Sequence, residues 1–455
     1  MIKSFTNRIK RFINQISDLL GGNTQKGQLF KGGLGSLLIN FGNKLFVLIS
    51  GVLLVRFLGK EEYGIYSYVL SLIFVMIIPA EFGLSNLIVR ETAQGISKDD
   101  PRTIAGVWRW SLRMTLLLCA ILIVISGVAL IWGVHIFSRM EILTFLWALS
   151  LMPFQALIHL TSAALRGLKH ISLGQLPDLL ILPGFFVFLF LIVNLISPAS
   201  LSATTSMTLR SVSTVIAFIF SIGFLIKSTP RLIRKAKPIF QSREWFLSAL
   251  PLGLSSGLNM VKTRITILLM GFFVSAGQIG TFQVAVSSAA LAGLVLQANN
   301  ATLAPHFASL YVQDKKKALQ RLVTISTRVV FAFNFVMTVV FILIGRPLLS
   351  LVFGPDLVEA YPSVLIMLAG QLINSLVGSV AFLLNMTGHE NDVMKVIGIS
   401  TLATVVITLL ITPVWGIIGG AISTAVSLII AQIILAVLVY KRLGIISHAF
   451  SRVHT

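Results

Sequence analysis

The stretch VWRWSLRMTLLLCAILIVISGVALIW, residues 107 to 132, decides how the rest of the chain is read. Beyond Arg113 it holds no charged residue through Trp132. A helix of that length, rising about 1.5 Å per residue, crosses most of the about 30 Å of hydrocarbon in a bilayer. Blocks of the same kind recur from end to end. They raise the hydrophobic share to 56% of 455 positions and hold the charged share to 11%, where an average soluble domain carries about 25%. The composition predicts an all-α, polytopic membrane protein in which each block is one transmembrane helix.

Twelve spans are expected: 33–58, 64–89, 107–132, 142–164, 171–196, 203–226, 246–272, 279–305, 324–349, 360–386, 393–414 and 417–440. An even number returns the chain to the side on which it started. Lys and Arg outnumber Asp and Glu by 36 to 15, a balance that in a soluble protein would point to nucleic acid. Here, with residues at the span ends counted with the loops, 28 of the 36 cations fall in the N-terminal segment, the loops after even-numbered spans and the C-terminal segment. Four (Arg56, Lys60, Arg139 and Arg346) lie in loops after odd-numbered spans, and four lie inside spans. Cytoplasmic loops carry the excess of Lys and Arg. Both termini are therefore expected in the cytoplasm of a cell-membrane protein, and nucleic acid is not an expected partner.

Residues 1 to 22 set Ile2, Phe5, Ile9, Phe12, Ile13, Ile16, Leu19 and Leu20 at helical spacing among Lys3, Arg8, Lys10 and Arg11. This is the pattern of an amphipathic helix on a membrane surface, not of a signal peptide. Residues 227–245, KSTPRLIRKAKPIFQSREW, form the longest connection, with six cations and one acid. Their basic character suits a topology determinant at anionic headgroups. The expected organisation is a surface helix and link over 1–32, a six-helix bundle over 33–226, the linker over 227–245, a second bundle over 246–440 and a tail over 441–455.

The two bundles resemble each other. At an offset of 216, Asn43 matches Asn259, Phe57 matches Phe273, Gly64 matches Gly280 and Tyr66 matches Phe282; at 219, Leu165 matches Leu384 and His170 matches His389. Each coincidence is weak alone, but with the six-plus-six layout they point to an internal duplication. Repeats with an even number of spans insert the same way up, about an axis along the membrane normal. In such a transporter the substrate path lies between the halves.

Ionisable side chains near the bilayer centre cost about 2.5–3.5 kcal/mol each, so those inside spans are the candidate functional residues: Lys44, Glu81, Asp178, Arg210, Lys262 and Arg264. Four cations cannot all pair with two acids. Lys44 shares a helical stripe with Ser36, Asn40 and Asn43, Lys262 with Ser255, Asn259 and Thr266, and Arg210 with Ser206, Ser213 and Thr214, while Arg264 sits off the stripe of its span. Hydroxyls and amides commonly bond helix to helix, but that role needs no surplus charge. The pattern predicts a hydrated, electropositive cavity formed by Lys44, Arg210, Lys262, Arg264, Asn40, Asn43 and Asn259, able to accept an anion such as a diphosphate. Glu81 and Asp178 lie nearer the cytoplasmic ends of their spans, placed for charge balance or for proton or sodium coupling. Cys119 is the single cysteine, His159, His170, His306 and His389 are scattered, and no phosphate-binding loop or paired metal-ligand motif occurs. Neither a metal nor a cofactor is expected, nor a catalytic site.

The runs FLGKEEYGIYSYVLSL, Phe57 to Leu72, and EFGLSNLIVRETA, Glu81 to Ala93, resemble the N-terminal signature of polysaccharide-transport and O-antigen flippases, of the multidrug/oligosaccharidyl-lipid/polysaccharide exporter superfamily. Leu58-Gly59, Tyr63-Gly64, the acid before Phe82-Gly83-Leu84, and Arg90-Glu91 carry the match. LRGLKH, Leu165 to His170, is similar to the family's segment after span 4. The resemblance implies two six-helix bundles around a V-shaped cavity with alternating access. It also implies an undecaprenyl-diphosphate-linked oligosaccharide as cargo, and a polysaccharide polymerase or export machinery beside membrane lipids as partners. It marks a family and not a cargo. A drug or cation antiporter of the same superfamily is the alternative, disfavoured by net base in the cavity; a polytopic polymerase or ligase is disfavoured by the short external loops.

Overall fold

A computed structural model describes residues 25–133 and 138–451; the surface helix expected over residues 1–22 lies outside the described residues. Helix α1, Gln25–Glu81, is broken at Gly59 (φ 78°, ψ 173°), which turns the chain between spans 1 and 2. Helix α2, Leu84–Ser97, continues span 2 past a left-handed pair at Phe82 and Gly83. Spans 3 and 4 are α3 (Pro101–Gly133) and α4 (Arg139–Gly167). Span 5 is α5 (Ile171–Leu176), one π-helical turn (Pro177–Ile181) and α6 (Leu182–Ile196), and span 6 is α7 (Ala203–Ser228). The linker holds the short α8 (Arg231–Lys235) and lies along α3, with Ile239 N donating to Arg102 O (3.3 Å).

The second half comprises α9 (Ser242–Met270), α10 (Ala276–Val312), α11 (Lys316–Phe353), α12 (Tyr361–Val377), α13 (Val380–Met386) and α14 (Glu390–Leu443). Gly416 (φ 52°, ψ −127°) breaks α14 into two spans. Among the described residues, nine stretches are long and apolar enough to cross a membrane by length and composition. Two of them contain the breaks at Gly59 and Gly416. Large apolar side chains such as Leu195, Leu343 and Val414 are exposed, as lipid-facing surfaces require. The chain is an all-α, multi-pass membrane protein.

The duplication is written into the backbone. After span 4, Lys169 is left-handed (φ 67°) and His170 N donates to Leu165 O (2.9 Å). At the offset of 219, Gly388 is left-handed (φ 82°) and His389 N donates to Leu384 O (2.9 Å). After span 2, Asp99 (φ 51°) accompanies Asp100 N to Gly95 O (2.8 Å), and after span 8, Asp314 (φ 52°) accompanies Lys315 N to Leu310 O (3.0 Å). In each case one left-handed residue lets the amide after it close the helix end.

Where the halves meet, the symmetry is reciprocal. A Cβ on Gly64 would lie 1.7 Å from Ala276 O, and one on Gly280 would lie 2.1 Å from Lys60 O. Lys60 and Gly64 correspond to Ala276 and Gly280 at the offset of 216. Each half thus offers the other the same backbone surface, as a two-fold axis demands. Near the linker-bearing face a second glycine contact joins the halves, where a Cβ on Gly83 would lie 2.3 Å from Gly253 N.

On the face opposite the linker, Lys60 Nζ donates to Glu359 Oε1 (2.9 Å), which also accepts from Thr281 (2.8 Å). The hydrogen bond with Lys60 holds the Glu359 carboxyl below its ordinary value, and the same bond holds Lys60 above its own. The Glu359 contribution is therefore present above the ordinary glutamate value of 4.5 and lost as pH falls through the depressed one. The Lys60 contribution is complete below its ordinary value of 10.5 and lost as pH rises through the raised one. Both side chains are more than a third exposed, at 39% and 47%, so the pair contributes at most about 1 kcal/mol. Thermal stability of the purified protein should fall more steeply below pH 4.5 than that of a Glu359→Gln variant; equal slopes would show the pair to be silent.

Candidate functional site

The site begins with an irregularity in span 5. Pro183 has no N–H to give the carbonyl four residues earlier, at Leu179, and the backbone from Pro177 to Ile181 widens to a single π-helical turn, a form found mostly at functional sites. The freed Leu179 carbonyl accepts from Asn43 Nδ2 (2.9 Å), and Ser36 Oγ donates to Gln175 Oε1 (2.7 Å). Asn43 therefore ties span 1 to span 5, while Asn40 Nδ2 bonds its own helix at Ser36 O (2.7 Å). An Asn43→Ala change leaves the Leu179 carbonyl unpaired, at an expected cost of about 1–3 kcal/mol. Melting in detergent should show a clear loss for Asn43→Ala and little change for the exposed Asn40→Ala; equal effects would contradict the assignment.

The wide turn carries Asp178. Its Oδ1 accepts from Gln155 Nε2 (2.7 Å), and its Oδ2 lies 3.6 Å from His159 Nε2. The other ring nitrogen, His159 Nδ1, meets Glu81 Oε1. One imidazole on span 4 thus bridges the acids of spans 2 and 5. Arg166 lies within Coulombic reach of both acids. Glu81 ends α1 where Phe82 and Gly83 turn left-handed. The cluster opens into a cavity of about 340 Å³ that both halves line. Across it Asn86 Nδ2, from the first half, donates to Ser256 Oγ of the second (2.8 Å).

The cations are arranged around aromatic rings. The Arg210 guanidinium sits 5.8 Å from the Phe186 ring centroid, and that of Arg264 sits 4.9 Å from Phe74. The two arginines, one from each half, lie within Coulombic reach of each other, and Arg210 also of Asp178. Among the described residues neither forms a salt bridge. Lys262 is half-buried and Lys44 exposed, and neither has an ion-pair partner among the described residues. The side chain of Asn259 lies outside the described residues. Arg210 thus lies within Coulombic reach both of Asp178 in the acidic cluster and of Arg264 in the other half, while Lys44 is exposed.

Two features escaped the sequence reading. His159, read as scattered, stands between the two acids, and Gln155 and Arg166 join it. Their signal was present, since Gln155, His159, Ser162 and Arg166 recur at i, i+4, i+7 and i+11, a single stripe on α4. Arg264, ranked behind Lys262 by helical stripe, faces span 2 because α9 packs there through small residues. A Cβ on Gly253 would meet the Phe82 carbonyl carbon at 2.9 Å, and one on Gly257 would meet Ile78 at 2.7 Å. Arg264 continues that stripe. Among the described residues no group of His, Cys, Asp and Glu could hold a metal ion.

A family described as polysaccharide biosynthesis protein matches residues 29–311. Comparison with curated proteins finds no match. Among solved structures the chain is similar to an inward-facing multidrug resistance MATE family transporter of the MOP superfamily, with a TM-score of 0.71, 15% identity, and coverage of 88% of this chain and 94% of that one. It is similar also to the lipid II flippase MurJ in an inward closed conformation, with a TM-score of 0.70, 14% identity, and coverage of 89% and 87%. A MOP superfamily transporter from Pyrococcus furiosus, described as having a binding pocket of reverse polarity, gives a TM-score of 0.63 at 13% identity over 94% of this chain and 97% of that one. At these identities the likeness is one of fold. The chain belongs to the polysaccharide biosynthesis protein family, and its fold is that of the membrane transporters of the MOP superfamily.

Proposed function

We propose that the protein flips an undecaprenyl-diphosphate-linked oligosaccharide from the cytoplasmic to the outer leaflet by alternating access, for surface polysaccharide synthesis. The observation that carries this reading is that Arg210 and Arg264, from opposite halves, lie within Coulombic reach of each other and that neither forms a salt bridge among the described residues. Arginine binds phosphate oxygens through paired N–H donors, so a diphosphate between the two would relieve their repulsion and bridge the halves. Lys44, Lys262 and Asn259 extend the same cationic path in this reading, and Asn40 and Asn43 shape its wall. The linker face is then cytoplasmic, as the loop cations favour, and a polymerase or export machinery takes the cargo on the other side.

Glu81 and Asp178 balance the charge of Arg166 and Arg210. With His159 between them they form a hydrogen-bonded cluster of exchangeable protons, which suits proton coupling. The same pair of acids favours the second reading, a drug or cation antiporter, since acids attract organic cations. Deleting the gene should leave a diphosphate-linked oligosaccharide in the inner leaflet and remove a surface polysaccharide. An unchanged surface glycan, without accumulated precursor or a redundant transporter, would overturn the proposal, and new sensitivity to organic cations would then support the antiporter.

A further inference from the structure

We propose that the cavity at Glu81, Asp178 and Asn86 is a hydroxyl-reading subsite for a neutral sugar of the cargo's headgroup. The proposal rests on the flippase reading and names the sugar chemistry that this region would accept. Sugar hydroxyls both donate and accept, so a subsite for them needs both kinds of partner at close quarters. The cavity offers carboxylates at Glu81 and Asp178, an amide at Asn86, a hydroxyl at Ser256 and a guanidinium at Arg166. Its volume of about 340 Å³ is at the small end of ligand sites, which run from about 300 to 1,000 Å³.

Two further observations point to a polar ligand. Arg166 Nε, on a residue that lines the cavity, is buried without a hydrogen-bond partner. Buried polar atoms in this state are few in native proteins and call for an explanation. Position supplies the second. Glu81 lies seven residues from Phe74 on span 2, and Gly257 lies seven from Arg264 on α9, so the cavity sits about 10 Å along both helices from the Arg264 contact. A diphosphate held at Arg264 and Arg210 would place the attached sugars in it. Because Asn86 and Ser256 belong to different halves, the subsite is complete only while the halves meet there. The carboxylate of an acidic sugar would face two lining carboxylates, Glu81 and Asp178, against the single guanidinium of Arg166.

The test uses the purified full-length protein in detergent and ligand-observed NMR with three probes: methyl N-acetylglucosaminide, glucuronate and inorganic pyrophosphate. The neutral sugar should bind, glucuronate should bind about tenfold more weakly, and Asn86→Ala and Ser256→Ala should each weaken the neutral sugar about tenfold. Asp178→Asn should narrow the gap between the two sugars; if that variant fails to fold, the exposed Asn86 carries the test alone. Neutral-sugar binding indifferent to both alanine variants, or glucuronate bound as tightly as the neutral sugar, would overturn the subsite. Pyrophosphate binding to the wild-type protein, and its loss in Arg264→Gln, reports separately on the diphosphate reading. Sugar binding that depends on Asn86 while pyrophosphate is ignored would keep the subsite and sink the diphosphate, and pyrophosphate bound without the sugar would do the reverse.

Discussion

An Arg210→Glu, Arg264→Glu double variant is expected to insert at wild-type level and to move no measurable lipid-linked oligosaccharide. Two cations at hydrocarbon depth cost about 5–7 kcal/mol on insertion scales if nothing offsets them. Here the offset visible in the protein is small, since each guanidinium lies over a phenyl ring (Phe186 and Phe74), a contact worth about 0.5–2 kcal/mol. Removing the charges therefore does not threaten the fold. It removes the charge-assisted hydrogen bonds proposed with the diphosphate, worth about 1.5–3 kcal/mol each, and reversing the charges adds repulsion toward phosphate. The single Arg264→Gln variant should lose about ten- to a hundredfold in transport at an unchanged melting temperature. Transport by the double variant at the wild-type rate would refute the assignment, and a collapse in expression would show that the arginines hold the fold.

Gly64→Ala is expected to have the largest effect of any single methyl group. Its Cβ would lie 1.7 Å from Ala276 O, and both atoms are fixed to helix backbones that cannot yield locally. The reciprocal contact at Gly280 ties the same two helices from the other side, so the halves must separate on the face opposite the linker. Moving a two-state equilibrium from one side to the other takes about 5.5 kcal/mol, which a backbone overlap of this depth supplies. Cysteines at Lys60 and Glu359, two long side chains whose charged ends lie 2.9 Å apart, should be joined readily by a bifunctional thiol reagent as long as the two side chains in the Gly64 protein and slowly in the Gly64→Ala variant. Equal cross-linking would contradict the role given to this contact.

The fold was legible because a membrane turns composition into geometry: blocks such as residues 107–132 have one way to satisfy their backbone in lipid, and that is a helix. The duplication was legible from Gly64 and Gly280 and from His170 and His389, because backbone positions without room for a side chain, or bound to a helix end, resist drift. The site was legible only in part. Arg210, Glu81 and Asp178 announce themselves by the cost of a charge in lipid, but His159 and Gln155 carry no formal charge and matter only because spans 2, 4 and 5 meet at them. Which way Arg264 faces depended on α9 packing through Gly253 and Gly257, a tertiary choice that helical periodicity does not encode. The π-helical turn at Asp178 could be traced to Pro183 only after Asn43 was seen on the Leu179 carbonyl.

The central claim is that a diphosphate-linked oligosaccharide crosses the bilayer between the two arginines. Its most direct test reconstitutes the purified protein in vesicles with a labelled undecaprenyl-diphosphate-linked oligosaccharide and follows the label's arrival in the opposite leaflet with a membrane-impermeant glycosidase. The label should become accessible far faster than in protein-free vesicles, and the Arg210→Glu, Arg264→Glu variant should abolish that gain. A rate no higher than that of protein-free vesicles, or one that the double variant leaves intact, would contradict the account.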